Sequence, residues 1–509
     1  MPSCYTFRSV GLDAIIVGSG PNGLTAAATL ARAGLKSLLF EAQPELGGAA
    51  ATQELTEPGF FHDVGGAFFP FGPISPGFLT HDLAGAGLRW LHAPVESAHL
   101  QPSGACAVLS RDLDRTAREG GMDGERLAKL ARWRLRLGKK FTQLTLDPLP
   151  LLNVIPRLDP ASLWRFAEIT LSSSGAYGRR KFESAAFQRV VADLCLHADV
   201  GPEDPWGAVL GAVLALLALS DGFPVAKGGA GSITRALAQH FREAGGEIRA
   251  GRAVAKILVR ARRVVGVVLD DGTEVDAPLV LADVSAPRLV FDLVGPDALP
   301  SRLVSAMSGF VQGWGTFKMD WALDGPVPWI ADAARESSVV HLGGDLDDLA
   351  LFTEEVRAGR LPTFPYLVIG QQSLADPSRA PPGKHVLYAY THVPAVSEEG
   401  NWSVIREQFA DRIEATIQAH APGFRRLIRA RHLMSPVDLE AQNANLIGGD
   451  LGGGSSQFDN LLFFRPAFPY FRYRMGVEGL YLCSSYAHPG AGVHGACGYN
   501  AARVALKLA

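Results

Sequence analysis

Three stretches of this 509-residue sequence predict an α/β fold. At the start, the apolar run Ala14-Ile15-Ile16-Val17 passes through a glycine-rich turn into an alanine-rich helical stretch and a second apolar run, 37–40. In the middle, a helix-period segment with Ile233, Leu237 and Phe241 on one face is followed by short strand-like runs separated at glycine. At the end, the run 479–483 crosses another glycine-rich loop into a final helix, 496–508. Strand and helix patterns that alternate in this way build a parallel sheet covered by helices. The three stretches lie far apart in the chain, so the domain they form is discontinuous.

At about 150 residues per domain, the length suggests two to four domains. Hydrophobic residues make up 47%, enough for a large core, and charged residues only 19%, which argues against extended disorder. The formal net charge of -3 offers no electrostatic basis for nucleic-acid binding. Five cysteines are scattered, with no C-x-x-C pair and no Cys/His cluster at zinc spacing. A disulfide framework, a dithiol centre and a metal site are therefore not expected, and a thiol-rich cytoplasmic setting is. Residues 1–12 are too short for a secretory leader before the first strand. The longest apolar run, 206–219, falls short of the roughly 20 residues of a spanning helix. It reads as a buried helix, with a membrane-dipping or tunnel helix as the alternative.

The first turn, Gly18-Ser19-Gly20-Pro21-Asn22-Gly23, is a G-x-G-x-x-G set between strand and helix, the context a dinucleotide fingerprint requires. Gly18 permits the tight turn, Gly20 lets a pyrophosphate approach the backbone, and Gly23 lets helix and strand pack closely. Pro21 and Asn22 open the helix, whose N-terminus offers free N–H groups to phosphate. Glu41, at the end of the second run, suits the ribose hydroxyls and disfavours a 2′-phosphate, so NADP is not expected. Ala42 follows, and then Gly47, Gly48 and Ala49. This E-x(5)-G-G pattern resembles flavoproteins of the glutathione-reductase type, in which it continues the phosphate surface, and points to FAD. In the middle region, Val254 opens a strand and either lies beside the adenine or is an ordinary sheet residue. Strands are expected at 264–269 and 274–276 around a turn at 270–272, and the block ends at 280–283. In the closing loop Ser485 is placed for the pyrophosphate or ribityl chain, and Gly492 and Val493 for the flavin, at the N-terminus of the last helix.

With these pieces in place, the chain resembles the phytoene dehydrogenase-like FAD-dependent oxidoreductases, a family of carotenoid desaturases and isomerases. Within it, the chain is most similar to the branch called pyridine nucleotide-disulfide oxidoreductase domain-containing protein 2. Matching segments are 18–23, 41–52, 228–237, 373–377, 380–385, 421–424, 435–440 and 479–506. The sequence Gly-Gly-Ala-Ala-Ala-Thr at 47–52 stands where amine oxidases have an arginine after the two glycines. The family's closing pattern, L-C-G-S-[GS]-x-H-P-G-G-G, is altered here at Ser484, Tyr486 and Ala491. The resemblance implies a Rossmann-like FAD-binding domain of the glutathione-reductase/amine-oxidase type at 1–100, 222–300 and 425–509. A mixed α+β substrate domain is implied at 101–221 and 301–424. It also implies one non-covalent FAD. Despite the branch name no dithiol is present, and Gly452-Gly453-Gly454 has no strand before it that would make a second fingerprint.

On the substrate side, Phe68, Phe69 and Phe71 and an aromatic group at 458–473 are expected to converge on the flavin. The substrate would then be a hydrophobic small molecule, unsaturated and isoprenoid, polyene or lipid-like. Tyr486, His488 and His494 are the candidates for substrate contact and proton transfer. Against this, His488 lies in a loop before Pro489, and His494 stands where it could cap the last helix. Desaturation with hydride transfer to flavin N5 is the leading reading. A redox-neutral double-bond isomerase, an amine oxidase-like enzyme and a non-catalytic flavoprotein that binds a partner are the others. Oxygen, a quinone or NAD would take the electrons. Finally, segment 125–141 reads as an amphipathic helix with an apolar stripe (Leu130, Trp133, Leu137, Phe141) opposite Lys129, Arg132, Arg136, Lys139 and Lys140. Such a helix packs its apolar side inward or makes a reversible contact with an anionic membrane.

Overall fold

The computed structural model describes residues 11–148, 152 and 154–507. In it the three stretches meet in one five-stranded parallel sheet. The order is Leu480–Leu482, Val280–Ala282, Ala14–Val17, Ser37–Phe40 and Glu247–Arg249. Ala14–Val17 and Ser37–Phe40 are buried along their whole length, which is why both read as unbroken apolar runs. The opening helix, Pro21–Arg32, has proline in its first turn, where a missing N–H removes no helical bond. The last helix, Ala496–Ala505, packs against it. A Cβ on Gly498 would lie 1.8 Å from the Asn22 carbonyl oxygen, so only glycine permits this contact. The last helix is shorter than the expected 496–508, and residue 508 lies outside the described residues. So do Cys4 and most of the segment read for a leader.

Val254–Arg260, Arg263–Leu269 and Glu274–Asp276 form the expected small antiparallel sheet. Its first hairpin turns at Ala261 and Arg262, whose φ values of 48° and 61° fit the twist of a two-residue loop.

A larger sheet of seven strands stands against this domain. Its order is Ile428–Met434, Gly315–Leu323, His385–Val393, Leu367–Gly370, Ser337–Leu342, Val95–Leu100 and Cys106–Leu109. Only the pairing of Ser337–Leu342 with Val95–Leu100 is parallel. Boundaries at 100 and 425 therefore cut through this sheet, because Val95–Leu100 and Ile428–Met434 are hydrogen-bonded into it. One face, with Phe317, Met319, Trp321, Leu387 and Ala389, packs under the helix Trp402–His420. The period of two places Lys318, Asp320, Tyr388, Tyr390 and His392 on the opposite face.

Helices from 113 to 218 form a further layer around their own core. The apolar run 206–219 forms the helix Ala208–Ala218, mostly buried within that core. Trp206 precedes it in a left-handed conformation, with its ring 4.6 Å from that of Phe458. No helix among the described residues is long and apolar enough to cross a membrane. The basic segment is not one helix. Leu113–Leu137 stops at Gly138, and Lys139–Leu146 starts afresh. Trp133, Leu137 and Phe141 are buried in the helical core, with Leu130 packed against it, so the stripe has no apolar face left to offer a membrane.

Candidate active site

A cavity of about 660 Å³ opens beyond the carboxyl ends of the parallel strands, where open α/β sheets place their ligands. All three parts of the discontinuous domain line it. Gly18 has a φ of 96°, which favours glycine, and the turn it makes exposes the helix N-terminus. Gly18, Gly20, Pro21, Asn22, Glu41, Ala42, Gly48, Ala49, Val254, Ser485, Gly492 and Val493 all border the cavity.

Gly23 and Gly47 do not border it and instead brace its wall. A Cβ on Gly23 would sit 2.2 Å from the Gly18 carbonyl oxygen. The N–H of Gly47 donates to Ser19 Oγ at 3.1 Å.

Ser19, unremarked within the fingerprint, ties these pieces together. Its N–H and Oγ both donate to Glu41 Oε2, at 2.8 and 2.7 Å, while Gln43 N–H donates to Glu41 Oε1 at 2.9 Å. Asp283 was also missed as a site residue. It follows the strand Val280–Ala282, lines the cavity and accepts from Gly23 N–H at 2.8 Å. Its place just past a parallel strand was the available signal.

Of the three candidates for chemistry, only Tyr486 lines the cavity. Its hydroxyl lies 3.1 Å from both Gln312 Oε1 and the Asn445 carbonyl oxygen, and burial holds its pKa above the ordinary value. His488 and His494 do not line the cavity. His488 Nε2 donates to the Asp147 carbonyl at 2.9 Å, and burial pushes its pKa down to about 4. His494 Nδ1 accepts from Ala496 N–H at 3.0 Å, which caps the last helix, and burial pushes it down to about 4 as well. Each ring is spent on holding backbone.

The expected convergence of the aromatic groups is also corrected. Phe463, Phe468 and Phe471 pack on one another, with centroids 5.2 and 6.0 Å apart, and Phe458, Phe464 and Phe468 are exposed. Tyr473 is buried and donates to the His488 carbonyl at 2.9 Å. Phe69 packs on Trp90, and Phe71 on His494. Phe68 turns to the seven-stranded sheet, where it stacks on Tyr388 at 6.2 Å. It fits there because Gly370 is bare: a Cβ on Gly370 would come within 2.3 Å of the Phe68 ring. The aromatic series continues through Tyr390 and His392 to Trp314, with centroids 5.8–6.0 Å apart. Charges near this face are spent on one another: Lys318 pairs with Asp320, Arg189 with Asp193 and Arg379 with Asp63.

Residues 16–78 match the NAD(P)-binding Rossmann-like domain, and residues 163–506 match the flavin containing amine oxidoreductase family. The latter match spans more than half of the chain. This protein belongs to the flavin containing amine oxidoreductase family. The pyridine nucleotide-disulfide oxidoreductase domain-containing protein 2 of Mus musculus is 30% identical, covering 97% of this chain and 93% of that protein. A zeta-carotene-forming phytoene desaturase of Myxococcus xanthus is 26% identical over 95% of this chain and 91% of that protein. An oxidoreductase from Methanosarcina mazei has a similar fold, with a TM-score of 0.65 at 17% identity, covering 97% of this chain and 100% of that chain. This flavin oxidoreductase is thus phytoene dehydrogenase-like and close to the Mus musculus protein's branch, and its cofactor is FAD. The site fits that cofactor. It offers the N–H end of the opening helix, whose N-cap Gly20 has no capping side chain, an acid beside it at Glu41, and a buried Asn22 Oδ1 without a hydrogen-bond partner.

Proposed function

We propose that this FAD-dependent oxidoreductase dehydrogenates a hydrophobic, unsaturated substrate of isoprenoid, polyene or lipid-like character. When bound, FAD supplies the two-electron acceptor, at flavin N5. Glu41, oriented by Ser19, and Val254 hold the adenosine end. Gly18, Gly20, Pro21, Asn22, Ala42, Gly48, Ala49 and Ser485 carry the phosphates and the chain beyond them, and Gly492 and Val493 form the wall at the flavin ring. Val493 keeps a φ of 48°, unusual for a β-branched residue, and its side chain is the nearest neighbour to the Cβ position of Gly66, at 3.5 Å. Strain of this sort persists where the surroundings demand it, as at a ligand wall.

The observation that carries the substrate class is the aromatic series from Phe68 through Tyr388 and Tyr390 to Trp314. It bridges the cofactor segment and the inner face of the large sheet. Stacked rings hold an extended apolar molecule by contact area and exclude water. The phytoene desaturase among the relatives acts on a substrate of that character, as its name states. Tyr486, with its hydroxyl held by Gln312 and Asn445, contacts the substrate at the cavity. His488 and His494 serve as scaffold, so the proton that leaves with the hydride goes to solvent. Oxygen, a quinone or NAD then reoxidises the enzyme.

The test is anaerobic bleaching of the bound flavin by a panel of terpenes, polyenes, unsaturated lipids and amines. Bleaching by an unsaturated hydrocarbon or lipid supports the proposal. Bleaching by amines alone overturns it in favour of amine oxidation.

A further inference from the structure

Asp283 places a carboxyl group where a dinucleotide fold receives phosphate. It closes the strand Val280–Ala282 and lines the cavity. Its Oδ2 accepts from Gly23 N–H at 2.8 Å, in the first turn of the twelve-residue opening helix. The same oxygen lies 2.6 Å from the position a Cβ on Gly20 would take, so it is pressed against the second fingerprint glycine. In this fold the diphosphate of the cofactor binds at that helix N-terminus. An ionised Asp283 and a diphosphate would then share one set of N–H groups, and like charges that close disfavour the ionised form.

The groups facing Asp283 do not relieve this. Glu41, from the second strand, raises the carboxyl further. Cys483 of the closing strand and Cys497 of the last helix also face it, and burial raises both thiols above their ordinary value, so both are neutral. Arg288, on the cavity wall, is paired with Asp292 at 3.3 Å. None of the ion pairs among the described residues involves Asp283. Burial, with Glu41 adding to it, raises the Asp283 carboxyl to about 7, although Gly23 N–H pulls the other way.

We propose that Asp283 carries a proton when FAD is bound, so that above neutrality FAD binding takes up one proton and Asp283 sets the pH above which affinity for the cofactor falls. The sign follows from linkage. The free protein ionises Asp283 above its own pKa, and the FAD complex, with phosphate alongside, holds the proton to higher pH. Affinity is then flat at lower pH and falls by up to about tenfold per pH unit above about 7. The inference rests on the cofactor and is independent of the substrate.

The experiment dilutes the holoenzyme across a range of about pH 6 to about pH 9 and follows released FAD by its fluorescence, with a pH indicator present in weak buffer. The expected result is a dissociation constant that climbs above neutrality, with about one proton released per FAD near pH 8. Asp283→Asn keeps an acceptor for Gly23 N–H without the charge. It should flatten the pH dependence and bind FAD more tightly than the parent near pH 9, by up to about 100-fold. A flat parent curve without proton release overturns the proposal, and so does a variant that keeps the slope. If the variant does not fold, the proton count of the parent holoenzyme decides alone.

Discussion

Around the parallel sheet, the residues assigned to the cofactor lie beyond strand ends, apart from Val254 at the start of a strand in the small antiparallel sheet, and the central strands Ala14–Val17, Ser37–Phe40 and Val280–Ala282 are buried throughout. In the seven-stranded sheet, Lys318, Asp320, Tyr388, Tyr390 and His392 project from within the strands, on one face only. The first arrangement is set by backbone shape: a turn at Gly18, a helix N-terminus facing the cavity, and glycines where a Cβ would collide. The second works by side chains on a rigid surface whose other face is an ordinary apolar core under the helix Trp402–His420. Cofactor binding should therefore fail through single glycines, and substrate binding through single aromatic side chains. Each loss should leave the other function intact.

The strongest break in that comparison is Gly23→Ala. The added Cβ meets the Gly18 carbonyl oxygen at 2.2 Å, and backbone cannot swing aside as a flexible side chain can. Moving the fingerprint turn costs about 3 kcal/mol, which weakens FAD binding about 100-fold. The protein should purify largely colourless. Next in size is Tyr390→Leu, which should retain full FAD and lower kcat/KM for a hydrophobic substrate about tenfold through lost ring contacts. The paired readouts are flavin absorbance per chain and the rate of anaerobic bleaching. If Tyr390→Leu also loses FAD, the two regions are not separable in the way proposed.

The same contrast explains what could be read from the sequence. Gly18 to Gly23, Glu41 and the closing loop were legible because a phosphate-binding turn needs glycine at fixed spacing next to strand and helix patterns. The aromatic series on the large sheet was not legible, because Tyr388, Tyr390 and His392 obey only strand alternation, and any strand face can do so. Sequence proximity misled for His488 and His494. Both neighbour the flavin loop in the chain, yet their rings turn to the Asp147 carbonyl and the Ala496 N–H. It misled for Phe463 and Phe471 too, which stack on each other instead of on a ligand. Ser19 and Asp283 escaped for a different reason. Their partners, Glu41 and Gly23, lie 22 and 260 residues away, and only the folded sheet brings them together.

A smaller effect sharpens the comparison on the cofactor side. If backbone and not side chains does the work there, His488→Gln and His494→Gln should each leave anaerobic flavin reduction within about threefold of the parent, well short of the loss of a positioned base. Both histidines are held near pKa 4 by burial, so neither is charged at neutral pH, and the rate should show no inflection near pH 6.5 that either variant removes. A drop of about 100-fold in either variant would restore that histidine as a base and end the scaffold reading.

The smallest expected effect concerns the basic surface. Neutralising Lys129, Arg132, Arg136, Lys139 and Lys140 together should change sedimentation with anionic vesicles by less than about twofold. Interfacial helices bind by burying an apolar face and add charge attraction to it. Here Trp133, Leu137 and Phe141 already fill the helical core, so that face is taken, and the basic side alone makes a weak, salt-screened contact. Leu135 is the exposed large apolar side chain within the basic segment, and a larger exposed apolar group of this layer lies at Leu163, Trp164 and Leu171. A variant that loses vesicle binding outright would mean that the charges act without an inserted face. Trp164→Ser in the parent background separates the two cases, because it removes apolar area and leaves every charge in place.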